Sequence, residues 1–314
     1  MFFIPAPSGR EDDDNSPWYT FGYGSLLSSS SRIISECGLR GQQEDYIEWS
    51  LKNLNVDVVF NQEKARCIRE KQAKQFIPAE IRGYRRGWYS KGKLPQNDVP
   101  ENSLFIRPTF LGLLKDERYN TTGLLYSVTK EDLKSTDERE KGAGYLYETL
   151  SKNDLRLFTD TNIPENAKIR VYMSAPDHID SPTKRFPIVQ SYVDVFLGGA
   201  IEIEENNPDL QNFSLNTCKQ TYGWLGGWVN DRPYPRHRAG FLSLSAEKID
   251  NLLYQCMKDN ESNEADNITQ TISTLRPLQS TDIGEITFPG QCDKKSKTIS
   301  QPDQLAADTI QTSS

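Results

Sequence analysis

The apolar positions along this chain change period several times, and each change marks a predicted element. Trp18, Tyr19, Thr20 and Phe21 form a β-type run that stops at Gly22-Tyr23-Gly24-Ser25-Leu26-Leu27, so a strand is expected to end in a turn with uncovered backbone. Ser28 to Ser31 then supply a helix cap ahead of Ile33 and Ile34, with Cys37-Gly38 as the stop. Further β-type segments cover Ala79–Ser90, Pro108–Leu114 and Gly123–Val128, the last two flanking a polar turn at Lys115–Thr122 in a hairpin-like arrangement. Thr129-Lys130-Glu131-Asp132 reads as a capping-box start for a short helix to about Glu140, which Gly142 and Gly144 end. Tyr145–Leu150 and Ala167–Met173 are two more strands, joined by the polar connection Ser151–Glu165. Ile188, Tyr192, Val195, Gly199 and Ile203 recur on one helical face, with Phe196 and Ala200 beside them, and predict a well-buried helix that Gly198 and Gly199 allow close to the sheet. Thr217–Arg238 is neither clean helix nor strand, and Phe241–Met257 holds a last helix capped at Ser245 and bearing Ile249, Leu252, Leu253 and Cys256.

Sequential β segments, a short capped helix and one long buried helix predict an α+β domain over residues 17–257, built as a small closed mixed β-barrel surrounded by helices. Residues 1–16 contain Pro5, Pro7, Gly9 and the acidic run Glu11–Asp14, and residues 258–314 are mostly polar, so both are expected to be disordered tails. Within the domain, residues 41–75 turn to charged and amide side chains, with Leu51, Leu54 and Val58 at helical spacing and a basic stretch through Lys64, Arg66, Arg69, Lys71 and Lys74. This segment reads as an exposed, helical insertion: such a charge run is more often a solvated face, and the alternative is a surface for a protein partner.

Composition narrows the function classes. A mean hydropathy of −0.67 over 314 residues fits polar tails around a smaller folded part. The net charge of −7 and the pI near 5.1 argue against a general nucleic-acid binder. The opening Met-Phe-Phe-Ile-Pro lacks the charged start of a signal peptide, and no window approaches a membrane span. A cytoplasmic protein without a membrane partner is therefore expected. Cys37, Cys67, Cys218, Cys256 and Cys292 are odd in number and scattered without a Cys-x-x-Cys pair, so neither disulfides nor a zinc site are expected. His178 and His237 stand outside any metal-ligand spacing and read as surface or packing residues. The run Gly22-Tyr23-Gly24-Ser25-Leu26 lacks the second glycine of a nucleophile elbow, which makes Ser25 a poor nucleophile.

The turn at 22–27 is the most informative stretch for chemistry. Glycines leave amides uncovered, and such a loop can bring them up to a carboxylate or a phosphate. Phe-Gly-Tyr-Gly-Ser-Leu at 21–26, Arg-Gly-Tyr-Arg-Arg-Gly-Trp at 82–88, Asp-Glu-Arg-Glu at 137–140 with Gly144-Tyr145 after it, and Tyr-Gly-Trp followed by Trp-Val-Asn-Asp-Arg-Pro within 222–233 occur in one order. Together they resemble the gamma-glutamylcyclotransferase superfamily, and in particular its bacterial-type branch.

That resemblance implies a closed six-stranded barrel with no metal or organic cofactor. It also implies the cyclisation of a γ-glutamyl group to 5-oxoproline with release of an amine or amino acid. By the family pattern, Tyr23, Gly24, Ser25 and Leu26 grip the glutamyl α-carboxylate and amine, and Glu140 is the acid/base. Tyr145 lines the substrate pocket, although Gly142 and Ala143 are extra relative to the family's run and Tyr147 competes for the place. Arg85, Arg86 and Trp88 either brace the barrel or reach the ligand. Asn230, Asp231 and Arg232 either close over the pocket or form a structural turn held by an Asp–Arg pair. A second reading keeps the same pocket as a non-catalytic module for γ-glutamyl or other small anionic ligands that acts through a protein partner. A purely structural role would leave the glycine loop without a purpose. The amine half of the substrate has no motif in the sequence.

Overall fold

The computed structural model describes residues 16–39, 56–74, 76–92, 107–233, 235 and 246–258. The expected tails beyond Ser16 and Lys258, residues 41–55 of the insertion, His237 and the Ser245 cap lie outside the described residues.

Strand β1 (Trp18–Gly22) runs into a 3-10 turn at Ser25–Leu27 and then helix α1 (Ser29–Glu36), whose N-cap Ser28 accepts from the Ser31 amide. A short helix α2 (Val56–Val59) and helix α3 (Gln62–Gln72) precede two long strands, β2 (Phe76–Lys91) and β3 (Thr109–Val128). Helix α4 (Lys130–Ala143), capped by Thr129, leads to β4 (Tyr145–Ser151), β5 (Leu155–Leu157) and β6 (Lys168–Ser174). The two-residue strand β7 (Ile188–Val189) enters helix α5 (Gln190–Asn206), followed by α6 (Phe213–Lys219), β8 (Thr221–Tyr222), β9 (Trp228–Val229) and α7 (Ala246–Lys258).

One curled mixed sheet carries the domain in the order β4-β6-β1-β3-β2-β5, with β8 parallel to β2 and a separate β7-β9 pair. β1 sits centrally, antiparallel to β3 through Phe21↔Leu125 and parallel to β6 through Trp18↔Lys168. The α+β class holds, but the barrel is open. β4 and β5 follow one another in the chain yet lie at opposite edges, because β4 spends its seven residues on β6 while the three-residue β5 pairs with β2.

Two expectations need correction. The hairpin at 108–128 is one continuous strand, since its halves pair with different halves of β2 and not with each other. The polar residues Asp116–Tyr119 bulge out between the pairs Arg82↔Asn120 and Tyr84↔Lys115, and Gly83 meets the bend with a φ of 80°. The insertion is also more than an exposed face. Ala65 and Ile68 of α3 are fully buried and form a second core with Ile33, Ile34, Leu39 and Val195, while Arg66 and Glu70 face outward.

The main core lies between the concave sheet and helices α5, α6 and α7, and includes Phe21, Leu113, Leu125, Ile169, Val193, Phe196 and Leu253. The close approach of α5 comes at Gly199 and is made to the turn after β1, not to the sheet as expected: an added Cβ would lie 2.3 Å from the Ser28 amide nitrogen and 2.5 Å from the Leu27 carbonyl carbon. Replacing Gly199 with alanine is expected to cost about 1–3 kcal/mol, because the obstacle is backbone and cannot rotate away. Chemical denaturation of that variant checks this, with an unchanged midpoint as the contrary result.

The cysteines also depart from expectation. Cys37 of the α1 stop is bridged to Cys67 of α3, and Cys218 of α6 to Cys256 of α7, with Cα separations of 5.8 and 6.0 Å. Spacing along the chain carries no sign of either pairing, since the partners are 30 and 38 residues apart and meet only through helix packing. Closing loops of that length stabilises the fold by about 3–4 kcal/mol each in the chain-entropy picture. Of the five cysteines, one is thus left to react with a thiol reagent in denaturant without reductant, and all five after reduction. A count of five without reductant would contradict both bridges.

Candidate active site

The Gly-Tyr-Gly-Ser-Leu stretch leaves β1 and folds into its 3-10 turn through bonds from the Leu27 amide to the Gly24 carbonyl (3.0 Å) and from the Ser28 amide to the Ser25 carbonyl (3.2 Å). Two buried arginines take its remaining carbonyls. Arg86 Nη1 donates to the Tyr23 carbonyl at 3.4 Å, and Arg32 Nη1 donates to those of Leu26 and Leu27 at 2.6 and 2.9 Å. In a trans peptide the C=O and the following N–H point oppositely, so the Gly24 amide is turned away from Arg86.

Tyr23, Gly24, Ser25 and Leu26 line a cavity of about 70 Å³ together with Glu140 and Tyr145, so two segments more than a hundred residues apart in sequence are brought to one place. Helix α4 delivers Glu140. It runs one turn further than expected, to Ala143, and ends at Gly144 in the left-handed region with a φ of 91°. Gly142 and Ala143 are thus absorbed as helix, which moves Tyr145 to the first position of β4. Two residues apart, the tyrosines would share a face in a regular strand, yet Tyr145 lines the cavity and Tyr147 does not. Tyr145 turns inward and donates its hydroxyl to the Leu111 carbonyl at 2.9 Å. Tyr147 is 54% exposed and lies under the Arg170 guanidinium.

Five further residues close the cavity: Phe21, Leu111, Arg139, Tyr172 and Tyr192. Sequence reading missed them as site residues. Arg139 stood inside the Asp-Glu-Arg-Glu motif and Tyr192 on the apolar stripe of α5, so each carried a signal that read as something else. Arg139 donates to Glu140 Oε1 from Nε at 3.0 Å and from Nη2 at 2.7 Å, and reaches Ser35 of α1 with Nη1. Tyr172 donates to Asp137, one turn before Glu140, at 2.8 Å. Burial holds the Tyr23 and Tyr145 hydroxyls well above the ordinary tyrosine pKa, reinforced at Tyr23 by Tyr145 and Glu140 and at Tyr145 by Tyr192 and Glu140. They therefore stay protonated and act as hydrogen-bond groups at neutral pH. Among the described residues no cluster of three His, Cys, Asp or Glu side chains could hold a metal ion.

The remaining candidates lie outside this cavity. Arg86 is fully buried and ties four segments together: besides Tyr23 it donates to the Thr122 carbonyl (2.7 Å), the Thr217 carbonyl (2.5 Å) and Thr221 Oγ1 (2.8 Å). Desolvation pulls its pKa down to about 9, which still leaves it charged near neutrality. Arg85 spreads over Tyr89, Tyr119 and Tyr222 on the outer surface. Trp88 is fully buried among Tyr192, Phe196 and Trp224. Asn230, Asp231 and Arg232 neither cover the cavity nor pair as Asp with Arg. Asp231 instead accepts from the Ser191 amide and hydroxyl, both at 2.7 Å, at the start of α5. Arg232 grips Asp194 at 2.7 and 2.8 Å and also Asp250 of α7, while Asn230 accepts from the Arg232 amide. These charges lock α5 and α7 to the 228–232 segment because helix packing brings their acids within reach.

No family model and no curated protein matches this chain. Among solved structures, the chain is similar to a gamma-glutamyl cyclotransferase at 13% identity, with a TM-score of 0.38 over 76% of this chain and 99% of that one. It is also similar to an uncharacterized protein from Homo sapiens at 13% identity, with a TM-score of 0.37 over 65% of this chain and 87% of that one. A further similarity is to a gamma glutamyl cyclotransferase specific to glutathione from yeast, at 12% identity and a TM-score of 0.27 over 59% and 80%.

Substituting Arg232 with alanine leaves Asp194, itself buried, without its partner. It is expected to cost about 2–3 kcal/mol, the loss for a buried pair reduced for the partly exposed arginine. Denaturant unfolding measures this. A variant with wild-type stability would show that the pair does not hold α5.

Proposed function

We propose that the protein is a gamma-glutamylcyclotransferase-like enzyme, which cyclises a γ-glutamyl group to 5-oxoproline and releases an amine or amino acid. The observation that carries this reading is the meeting of Glu140 with the 23–26 loop and Tyr145 around one cavity. The reaction needs two things of a protein. The glutamyl chain has to be held folded, so that its α-amino nitrogen sits against its own γ-carbonyl carbon. A single base then takes a proton from that nitrogen and returns one to the leaving nitrogen as the γ C–N bond breaks.

The parts suit these tasks. Tyr23, Gly24, Ser25 and Leu26 bind the α-carboxylate and amine through main-chain groups, and Ser25 serves as a binding residue. Glu140 moves the proton. Arg139 engages its Oε1, which leaves Oε2 as the atom for that transfer. The Tyr145 and Tyr192 side chains border the site. The small volume suits the glutamyl half alone, with the amine half outside the cavity. No helix of the described residues is long and apolar enough to cross a membrane. A cytoplasmic location would place both disulfides in a reducing milieu, where they would stand as dithiols.

Purified protein should release 5-oxoproline from at least one member of a panel of γ-glutamyl dipeptides, glutathione and γ-glutamylamines. Glu140→Gln should lower that rate by a factor on the order of 10²–10⁴ while near-ultraviolet circular dichroism stays unchanged. Silence across the whole panel would favour the binding-module reading. Full activity in Glu140→Gln would remove Glu140 from the chemistry.

A further inference from the structure

A second cavity, of about 450 Å³, lies between α1, α3, β2 and α5, and its volume falls in the usual range for small-molecule sites. Its lining includes Arg32, a guanidinium buried to 4% exposure and stacked 3.9 Å over the Phe76 ring. Arg32 Nη1 is committed to the Leu26 and Leu27 carbonyls, while Nε is buried without a hydrogen-bond partner. Glu36 and Glu202 of the lining act on Arg32 only at longer range, and their close partners lie elsewhere. Lys71 sits on Glu36 at 2.9 Å and on Asp132 at 3.2 Å, Lys74 sits 3.6 Å from Asp132, and Glu202 accepts from the amide and hydroxyl of Ser29.

Arg32 is left as a buried cation with two neutral carbonyls and no carboxylate at ion-pair distance among the described residues. Burial of a charge in that state is costly unless an anion joins it. Arg32 lines the cavity, and a guanidinium is a group that takes a carboxylate with charge-assisted hydrogen bonds. We propose that this cavity binds a small organic carboxylate, its charged end on Arg32 and its carbon chain along Phe76, Leu124 and Ile203. The same arginine holds the Leu26 carbonyl, so an occupant here bears on the loop that lines the first cavity. That consequence rests on the reading of the loop as a substrate site, whereas the ligand site itself does not.

The test is isothermal titration of the full chain with acetate, succinate and inorganic phosphate, in wild type and in Arg32→Gln, Asn206→Trp and Glu140→Gln. Succinate or acetate should bind one to one. Binding should weaken at least tenfold in Arg32→Gln and in Asn206→Trp, which crowds the exposed rim of the cavity without touching the core, and should persist in Glu140→Gln. Should Arg32→Gln fail to fold, the rim variant decides. No saturable binding of any of the three overturns the proposal, as does binding that survives both cavity variants. Phosphate binding with neither carboxylate overturns the assigned ligand class, and loss in Glu140→Gln places the ligand in the other cavity. The calorimetric readout is independent of turnover, so a chain silent on every γ-glutamyl compound can still bind succinate, and the reverse.

Discussion

Two buried guanidinium groups hold the main chain of residues 23–27 by its carbonyls, and the rest of the candidate site depends on that grip. Arg86 reaches the loop from β2 and Arg32 from α1. A carbonyl bonded to a buried cation is expensive to release, because both partners would be left unsolvated. The loop is thus kept in one shape by groups it does not itself contain. Helix α5 completes the frame, since Gly199 brings its axis down onto the backbone of Leu27 and Ser28 with no side chain between.

Around that frame the charges fall into two kinds. Arg232, Asp194, Asp231 and Asp250 join helices to the late segment and stay clear of the cavity. Arg139 and Glu140 pair beside Tyr23 and Tyr145, whose hydroxyls remain protonated, and all four line the cavity. Arg139 also touches Ser35 of α1, which links the carboxylate-bearing helix to the helix that follows the loop. The disulfide from Cys37 to Cys67 anchors that same helix from its far end.

Much of the fold was legible from local pattern. β1, β4, β6, α1, α5 and α7 lie close to where periodicity and caps placed them, whereas Gly199 meets the turn at Leu27–Ser28 and not the sheet. The errors share a cause. The hairpin at 108–128, barrel closure, the insertion and the cysteine pairs all turn on which distant segments touch, and nothing local encodes that. Residues 115–122 carry turn-like polarity because they bulge to solvent, yet their flanks pair with a third segment and the strand continues.

The candidate site divides along the same line. Sequence by itself determined the glycine loop after β1 and the capped helix that reaches Glu140, because backbone exposure and capping are properties of a few adjacent residues, whereas Glu140 and Tyr145 were singled out by the order of the motifs and the family they resemble. Only the tertiary structure decided that these meet around one cavity, that Tyr145 and not Tyr147 faces it, and that Arg86, Trp88, Asn230, Asp231 and Arg232 stand outside. The reason is physical: burial and the pairing of charges depend on packing across many elements. The glycine-rich turn alone fits any small anion, and Glu140 beside it is what narrows the chemistry.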